Sequence, residues 1–304
     1  VIAVYRSRSM LAPFFSIISA FGRLSAGDFS TKLEFNTRDE RQMVADAFNR
    51  MTLQLEDGIR MRQGLEIAKE VQQFFFPEID PSISNLDIAA KMIYCEETGG
   101  DYIDVLNGKD GTVCIVVGDV TGHGIGAALL MTTVRALIRG RYETVSDLSQ
   151  IITSVNHDLT ADVGESGRFV TLFIIEINPA THELRWVRAG HDPAWLFCNT
   201  DYSIVSLSGP GVAMGVDCDI IYSENSRDQL ESGDVILIGT DGIWETCDTD
   251  GIQFGKHRLE QIVAENLGKT ATEISESLMA AVNHFRGDQD QEDDVSLVVI
   301  KIPD

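Results

Sequence analysis

The sequence predicts an α+β protein, an all-helical N-terminal segment followed by a strand-dense domain. Two patterns predict it. Apolar residues recur at spacings of three and four up to about residue 76. From about residue 86, short runs rich in Val, Ile and Phe replace them, separated by Gly, Asn and Asp. Length agrees, since 304 residues suit about two domains.

Pro13 suits the first turn of a helix, and Phe14, Ile17, Phe21 and Leu24 follow as a coiled-coil seam. Gly27-Asp28 ends that helix, and residues 29–38 read as extended, with Leu33 and Phe35 alternating. A second helix opens at Asp39-Glu40, acidic residues that favour a helix N-terminus, and carries the seam Val44, Phe48, Met51, Leu55. The seam lapses between Gly58 and Gly64. A helical pattern resumes over 65–76 and stops at Pro77, which cannot continue a helix. The expected parts are residues 1–9, a helical module 10–57, a linker 58–77 and a strand-rich domain 78–304.

In that domain strands are expected at 86–93, 112–117, 169–177, 184–189, 235–238 and 295–302, with a hairpin connection at 178–182. Helices are expected at 126–139, 145–159, 256–266 and 272–285. So many strands exclude a doubly wound sheet. No internal repeat or low-complexity run is present.

The net charge of −23 is uneven. Residues 1–62 hold nine Lys/Arg and seven Asp/Glu, a balance of +2, and the remainder 15 and 40, a balance of −25. A body this acidic repels nucleic acid phosphate, so no nucleic acid partner is expected. It has carboxylates to spare for divalent cations. The five cysteines form no Cys-x-x-Cys pair, and their odd number suits a reducing compartment; Cys95 and Cys114 read as core residues. Residues 1–5 are apolar and precede Arg6 and Arg8, like the last turn of a membrane helix with its positive cytoplasmic flank. Five residues cannot span a bilayer, which takes about 20. The expectation is attachment at the cytoplasmic face of the cell membrane through a segment N-terminal to this sequence, the alternative being an ordinary frayed end.

Four acidic clusters carry the chemistry: Gly99-Gly100-Asp101-Tyr102, Gly118-Asp119-Val120-Thr121-Gly122-His123-Gly124, Gly239-Thr240-Asp241-Gly242 and Glu292-Asp293-Asp294. Three abut apolar strands. A lone Asp-Gly is a turn, but buried strands aim their ends at a common edge, and carboxylates converging there need a cation. Hard divalent cations select such oxygen donors.

Residues 10–57 resemble a HAMP domain, on Pro13, Gly27-Asp28, Asp39-Glu40 and Ala47-Phe48-Asn49-Arg50-Met51. That resemblance implies a homodimer built as a parallel four-helix bundle; the alternative is an isolated helical hairpin. Residues 65–304 resemble the sporulation stage II E, or RsbU-like, branch of metal-dependent protein phosphatases in the type 2C superfamily. The matching residues are Ile67-Ala68-Lys69-Glu70-Val71-Gln72-Gln73 with Pro77, the Gly99 and Gly118 motifs, Arg168-Phe169-Val170-Thr171, Ala189-Gly190-His191, Thr240-Asp241-Gly242-Ile243-Trp244-Glu245 and Asp293-Asp294-Val295-Ser296. The resemblance implies two antiparallel sheets flanked by helices. It also implies a serine/threonine phosphatase with two Mn²⁺ or Mg²⁺ ions. Asp119 would bridge them with the Val120 carbonyl beside it, Asp241 and Asp293 would hold one ion, and Asp101 would serve the other, directly or through water. Asp294 is the lesser candidate beside Asp293.

The implied reaction is in-line attack on phosphoserine or phosphothreonine by a water that the two cations acidify. His123 is a candidate general acid or a turn brace, with the brace favoured; His191 reads as structural, and Tyr102 and Thr171 as packing or hydrogen-bonding near the site. The implied substrate is a phosphorylated anti-anti-sigma (STAS) protein, and the implied context sigma factor regulation controlled by the HAMP and linker helices together with the helix after Gly124. The alternative is an inactive scaffold of the same fold that binds a signalling partner. Two stretches depart from the family pattern, residues 209–215 and the aromatic run Phe74-Phe75-Phe76, the latter read as a packing or dimer contact. Gly99-Gly100-Asp101 also resembles the GGDEF signature of diguanylate cyclases, which would leave Asp119, Asp241 and Asp293 without a role. No cysteine is followed six residues later by arginine, so a cysteine-dependent phosphatase lacks a nucleophile.

Overall fold

The computed structural model describes residues 2–37, 39–77 and 86–303, with the side chains of 2–10 and 110 excepted. The chain divides into two compact units, Val1–Ile67 and Ala68–Asp304, so the division falls inside the expected linker.

In the first unit, α1 (Ile2–Ser25) and the start of α2 (Glu40–Gln73) flank an extended connector. Ala20, Leu33, Ala45 and Phe48 form its core, with Ile17, Leu24, Phe35 and Met51 against them. Asn49 clamps the connector by accepting from the Leu33 N–H and donating to its carbonyl, both at 2.9 Å. Two expectations are corrected. Pro13 lies inside α1 rather than at its start; the flanking turns absorb the lost hydrogen bond, a cost of about 3 kcal/mol. Gly58 and Gly64 do not interrupt α2, which runs unbroken for 34 residues. Each glycine costs a helix only about 1 kcal/mol. Among the described residues no helix is long and apolar enough to cross a membrane, and the apolar side chains of residues 1–5 lie outside the described set.

The second unit is a sandwich. Its strands are β1 (Asp87–Ile93), β2 (Tyr102–Asn107), β3 (Val113–Val120), β4 (Val170–Ile177), β5 (Leu184–Ala189), β6 (Ala194–Phe197), β7 (Ile204–Leu207), β8 (Asn225–Arg227), β9 (Val235–Gly239) and β10 (Val295–Lys301). The first sheet is ordered β1-β10-β9-β6-β7 and the second β2-β3-β4-β5-β8, with every strand pairing antiparallel. The helices are α3 (Gly124–Tyr142), α4 (Leu148–Val163), α5 (Gly242–Glu245), α6 (Lys256–Glu265) and α7 (Ala271–Arg286).

Strand alternation builds the layers. On β3, Ile115 and Val117 face β9 and β10 residues Ile236, Ile238, Val298 and Ile300 between the sheets. Cys114 and Val116 face the other way, onto Met131 and Val134 of α3 and Ile151 and Val155 of α4. Val235, Leu237, Leu297 and Val299 carry α6 and α7 on the opposite outer face. Each such fully buried aliphatic side chain contributes about 1.5–3 kcal/mol.

Asp104 of β2 is fully buried and takes a bidentate contact from Arg139 of α3, both bonds at 2.6 Å. The Tyr102 hydroxyl donates to the same carboxylate at 2.8 Å, and Arg135 lies 3.8 Å away. Arg135 also stacks over Phe75, 4.7 Å from its ring centroid. The aromatic run therefore splits: Phe75 packs inward while Phe74 is 84% exposed. Removing one partner of a buried pair strands the other. Asp104→Ala is expected to lower unfolding free energy by about 3 kcal/mol, read as a drop in urea midpoint; Tyr102→Phe is expected to cost about 1 kcal/mol.

Candidate metal centre

The expected carboxylates gather at one edge of the sandwich and come from both sheets. Asp119 is near the end of β3, opposite Thr171 of β4. Asp101 immediately precedes β2, whose Tyr102 pairs with Gly118. Asp241 follows β9 and leads into α5, and Asp293 precedes β10. Their proton affinities record the crowding. Burial and the charges of Asp241, Asp293 and Asp294 push Asp119 up to about 7. Burial, then Asp119 and Asp294, raise Asp101 well above the usual carboxylate range. Burial and Asp293 raise Asp241, and burial, Asp294 and Glu245 raise Asp293, which His123 partly offsets.

Asp294 has a different task. It is buried and accepts the N–H groups of Cys95 at 2.9 Å, Gly100 at 2.8 Å and Asp101 at 3.4 Å. That clamps the loop carrying Asp101. The clamp requires glycine: a Cβ on Gly99 would collide with the Asp294 carboxylate, and one on Gly100 would lie 2.7 Å from the Val120 carbonyl oxygen. Gln72, buried at the end of α2, grips the same loop at its other face. It donates to the Gly99 carbonyl at 2.8 Å and accepts its N–H at 3.2 Å.

Thr240 and His191 join the sheets behind the carboxylates. The Thr240 hydroxyl donates to Asp101 at 2.9 Å and accepts the Ser296 N–H at 3.0 Å. His191 is buried, and burial holds its ring at about 4, so it is neutral near pH 7. Its Nε2 faces the Gly239 carbonyl at 3.2 Å and its Nδ1 the Thr171 hydroxyl at 2.9 Å. A carbonyl only accepts, so Nε2 carries the proton and Thr171 donates. His191 and Thr171 are therefore structural, as expected, and Tyr102 serves Asp104. His123 is 61% exposed and its Nδ1 lies 2.8 Å from Glu96 of the neighbouring loop. Cys95 is a correction: it is partly exposed rather than core, its thiol pushed up to about 12 by burial and Asp294.

Four hard oxygen donors and an adjacent carbonyl, with no counter-charge among them, fit divalent cations. Among the described residues, the three-residue group whose ligand atoms lie within 4.8 Å of one another is elsewhere, at exposed Asp217, Cys218 and Asp219. There Asp217 caps its own turn by accepting the Asp219 N–H at 2.9 Å. The edge carboxylates stand wider apart than that. Sequence reasoning missed three parts of this centre. Gln72 sat in a matched motif without a role, the Asp294 clamp spans most of the chain, and Glu96 had no signal at all.

The Stage II sporulation protein E (SpoIIE) family profile matches residues 109–303, and the HAMP domain profile matches residues 6–57. Phosphoserine phosphatase RsbU of Bacillus subtilis is 27% identical over 79% of this chain and 70% of its own length. The SiaA-PP2C domain of Pseudomonas aeruginosa superposes with a TM-score of 0.70 at 18% identity, over 81% of this chain and 98% of that one. The RsbU and RsbW domains of Rv1364c from Mycobacterium tuberculosis follow at 0.62 and 24%, over 71% and 59%.

Asp119 makes a pH prediction. Its folded value is about 7 against an ordinary 3.8, so its contribution to stability is fully present below about pH 4 and lost as pH rises to about 7. Thermal melts in EDTA are expected to fall across that window, and Mn²⁺ to restore them at pH 7. Asp119→Asn is expected to flatten the slope, raise the cation-free melting temperature by a few degrees, about 1–2 kcal/mol in a domain of this size, and weaken the Mn²⁺ effect.

Proposed function

The chain belongs to the Stage II sporulation protein E (SpoIIE) family, and on that premise we propose that residues 78–304 are a metal-dependent protein serine/threonine phosphatase. Residues 10–57 are its HAMP control module and 58–77 the linker between them. One observation carries the reading: the mutual charge effects among Asp101, Asp119, Asp241 and Asp293 at a single edge. These carboxylates and the Val120 carbonyl would hold two cations, Mn²⁺ or Mg²⁺. Bound cations supply water acidic enough to attack at neutral pH and neutralise charge on the phosphoryl oxygens.

The chain's own residues do the rest. Asp119, whose charge is felt by Asp101 of one sheet and whose proton affinity is raised by Asp241 and Asp293 of the other, stands where a shared ligand is needed. Asp294 and Gln72 fix the 99–101 loop, and His191, neutral, keeps the sheets in register. The substrate class is a phosphorylated STAS-type regulator in sigma factor control, supported by likeness to a protein named a phosphoserine phosphatase. Phe14, Val44 and Leu55, expected in the seams, are 60%, 43% and 44% exposed, which supports a homodimer through the first unit. Arg6 and Arg8 support placement at the cytoplasmic face of a membrane.

The test is Mn²⁺-dependent phosphate release from a phosphoserine STAS protein. Wild type is expected to release phosphate, chelator to stop it, and Asp119→Asn to lower the rate at least about a thousandfold, as losses of central electrostatic groups do. Binding of the phosphoprotein without turnover under any metal would favour the scaffold reading instead.

The grip of Gln72 on Gly99 gives α2 a handle on the site. Gln72→Ala leaves a buried N–H and carbonyl unpaired, a penalty of about 1–3 kcal/mol. The Mn²⁺ concentration for half-maximal activity is expected to rise about tenfold, with maximal rate less affected. An unchanged Mn²⁺ requirement would refute a role for the linker end in ordering the Asp101 loop.

A further inference from the structure

Among the described residues of the second unit, every arginine but one spends its guanidinium on a carboxylate, carbonyl, amide or aromatic ring. The exception is Arg168. It is exposed, and its recorded hydrogen bond is through its backbone N–H, to Ser166 at 3.3 Å. An unpaired guanidinium is conspicuous in a chain with 47 Asp/Glu and 24 Lys/Arg, where partners abound.

Its position is held from both sides. The backbone beside it is pinned to the metal-site turn: the Phe169 carbonyl accepts the Thr121 N–H at 3.1 Å, and the Phe169 N–H donates to the Thr121 hydroxyl at 3.2 Å. Two residues on, Thr171 pairs with Asp119. The side chain then lies across the first turn of α3, over Gly126. A Cβ built on Gly126 would meet Nη1, Nη2 and Cζ of Arg168, the last at 2.8 Å. Glycine at 126 therefore keeps open the space the guanidinium occupies. Stability does not account for this arrangement. A cation over a helix N-terminus opposes the helix dipole.

The geometry points to Arg168 as the residue that binds the phosphoryl group of the substrate, its planar fork free to grip two oxygens beside the carboxylate edge. It sets a positive charge, uncommitted to any carboxylate, where an anion would arrive at an acidic site. This inference rests on the phosphatase reading, and the experiment separates the two.

Three proteins are compared in Mn²⁺: wild type, Arg168→Met and Gly126→Ala. The readouts are KM for p-nitrophenyl phosphate and for a phosphoserine peptide, calorimetric affinity for inorganic phosphate, and melting temperature. Arg168→Met is expected to raise both KM values and weaken phosphate binding about tenfold, the scale of one charge-assisted hydrogen bond, without lowering the melting temperature. Gly126→Ala is expected to displace the guanidinium, weakening phosphate binding in the same direction while holding or raising the melting temperature. Arg168→Lys, which keeps charge without the fork, is expected to recover part of the loss. Unchanged phosphate affinity in Arg168→Met overturns the assignment. So does a KM change confined to the peptide, which would place the contact on the peptide flank. If wild type releases no phosphate from either substrate or from the phosphoserine STAS protein but loses phosphate binding on Arg168→Met, the anion site stands and the phosphatase reading falls; if wild type turns over the phosphoprotein but does not bind phosphate, the Arg168 assignment falls and the phosphatase reading stands.

Discussion

Carboxylates that converge at one edge of two packed sheets repel one another, and everything around them answers that repulsion. Burial raises the cost of each charge, and each neighbour raises it further, which is why Asp119 reaches about 7. The fold cannot relax the strain by moving them apart, because they are fixed to strand ends: Asp119 by its pairing with Thr171, Asp241 and Asp293 by β9 and β10. The sandwich core supplies that rigidity. Its inner face is filled by Ile115, Val117, Ile236, Ile238, Val298 and Ile300, and native packing density leaves no room for the sheets to slide. Near neutral pH the energy of the edge falls when these carboxylates take up protons, and a cation would lower it without them.

What the sequence made legible follows the same physics. Strands whose apolar residues face two hydrophobic layers, such as β3, β4 and β10, announce themselves, and so do the Asp-Gly turns beyond them. β2 was hidden because Asp104 interrupts its pattern; it is a strand residue only by virtue of Arg139 and Arg135 on α3, a pairing no local periodicity contains. β8 reads Asn-Ser-Arg, and its strand character comes from β5 alongside. The unbroken α2 was obscured by two glycines whose local cost is small beside the rest of a long helix. At the site, the converging carboxylates were legible because acidic residues sit directly at the ends of apolar strands. Their supports were not, since Glu96, Gln72 and Asp294 act by geometry, and many residue types could stand at such positions in a sequence.

The two carboxylates of Asp293-Asp294 show how neighbours in sequence divide labour. Successive residues before a strand point to opposite sides. Asp294 turns inward to three backbone N–H groups, where hydrogen bonds to the charged form support it. Asp293 turns to the open edge, where burial and Asp294 raise its proton affinity. Both oxygens of Asp294 are taken by backbone N–H groups, whereas Asp293 accepts the Asp294 N–H at 2.8 Å through Oδ1 alone, which leaves it the better placed of the two to hold a cation.

Loop 99–101 is the point where these arguments meet. One side of it is held by Asp294, which belongs to the strand carrying Asp293, and the other by Gln72, which belongs to the last turn of α2. Asp101 rides on that loop and is tied through Thr240 to the turn bearing Asp241. A shift of α2 along or about its axis moves Gln72, and the Gly99 backbone bonds must follow or break. Either response displaces Asp101, the carboxylate whose ionisation is penalised by complete burial. Cation binding would need Asp101 ionised and would act on the same loop. Under the proposed function the two events would act through the same few hydrogen bonds, so by reciprocity any effect of α2 on metal affinity would be matched by an equal effect of metal on α2.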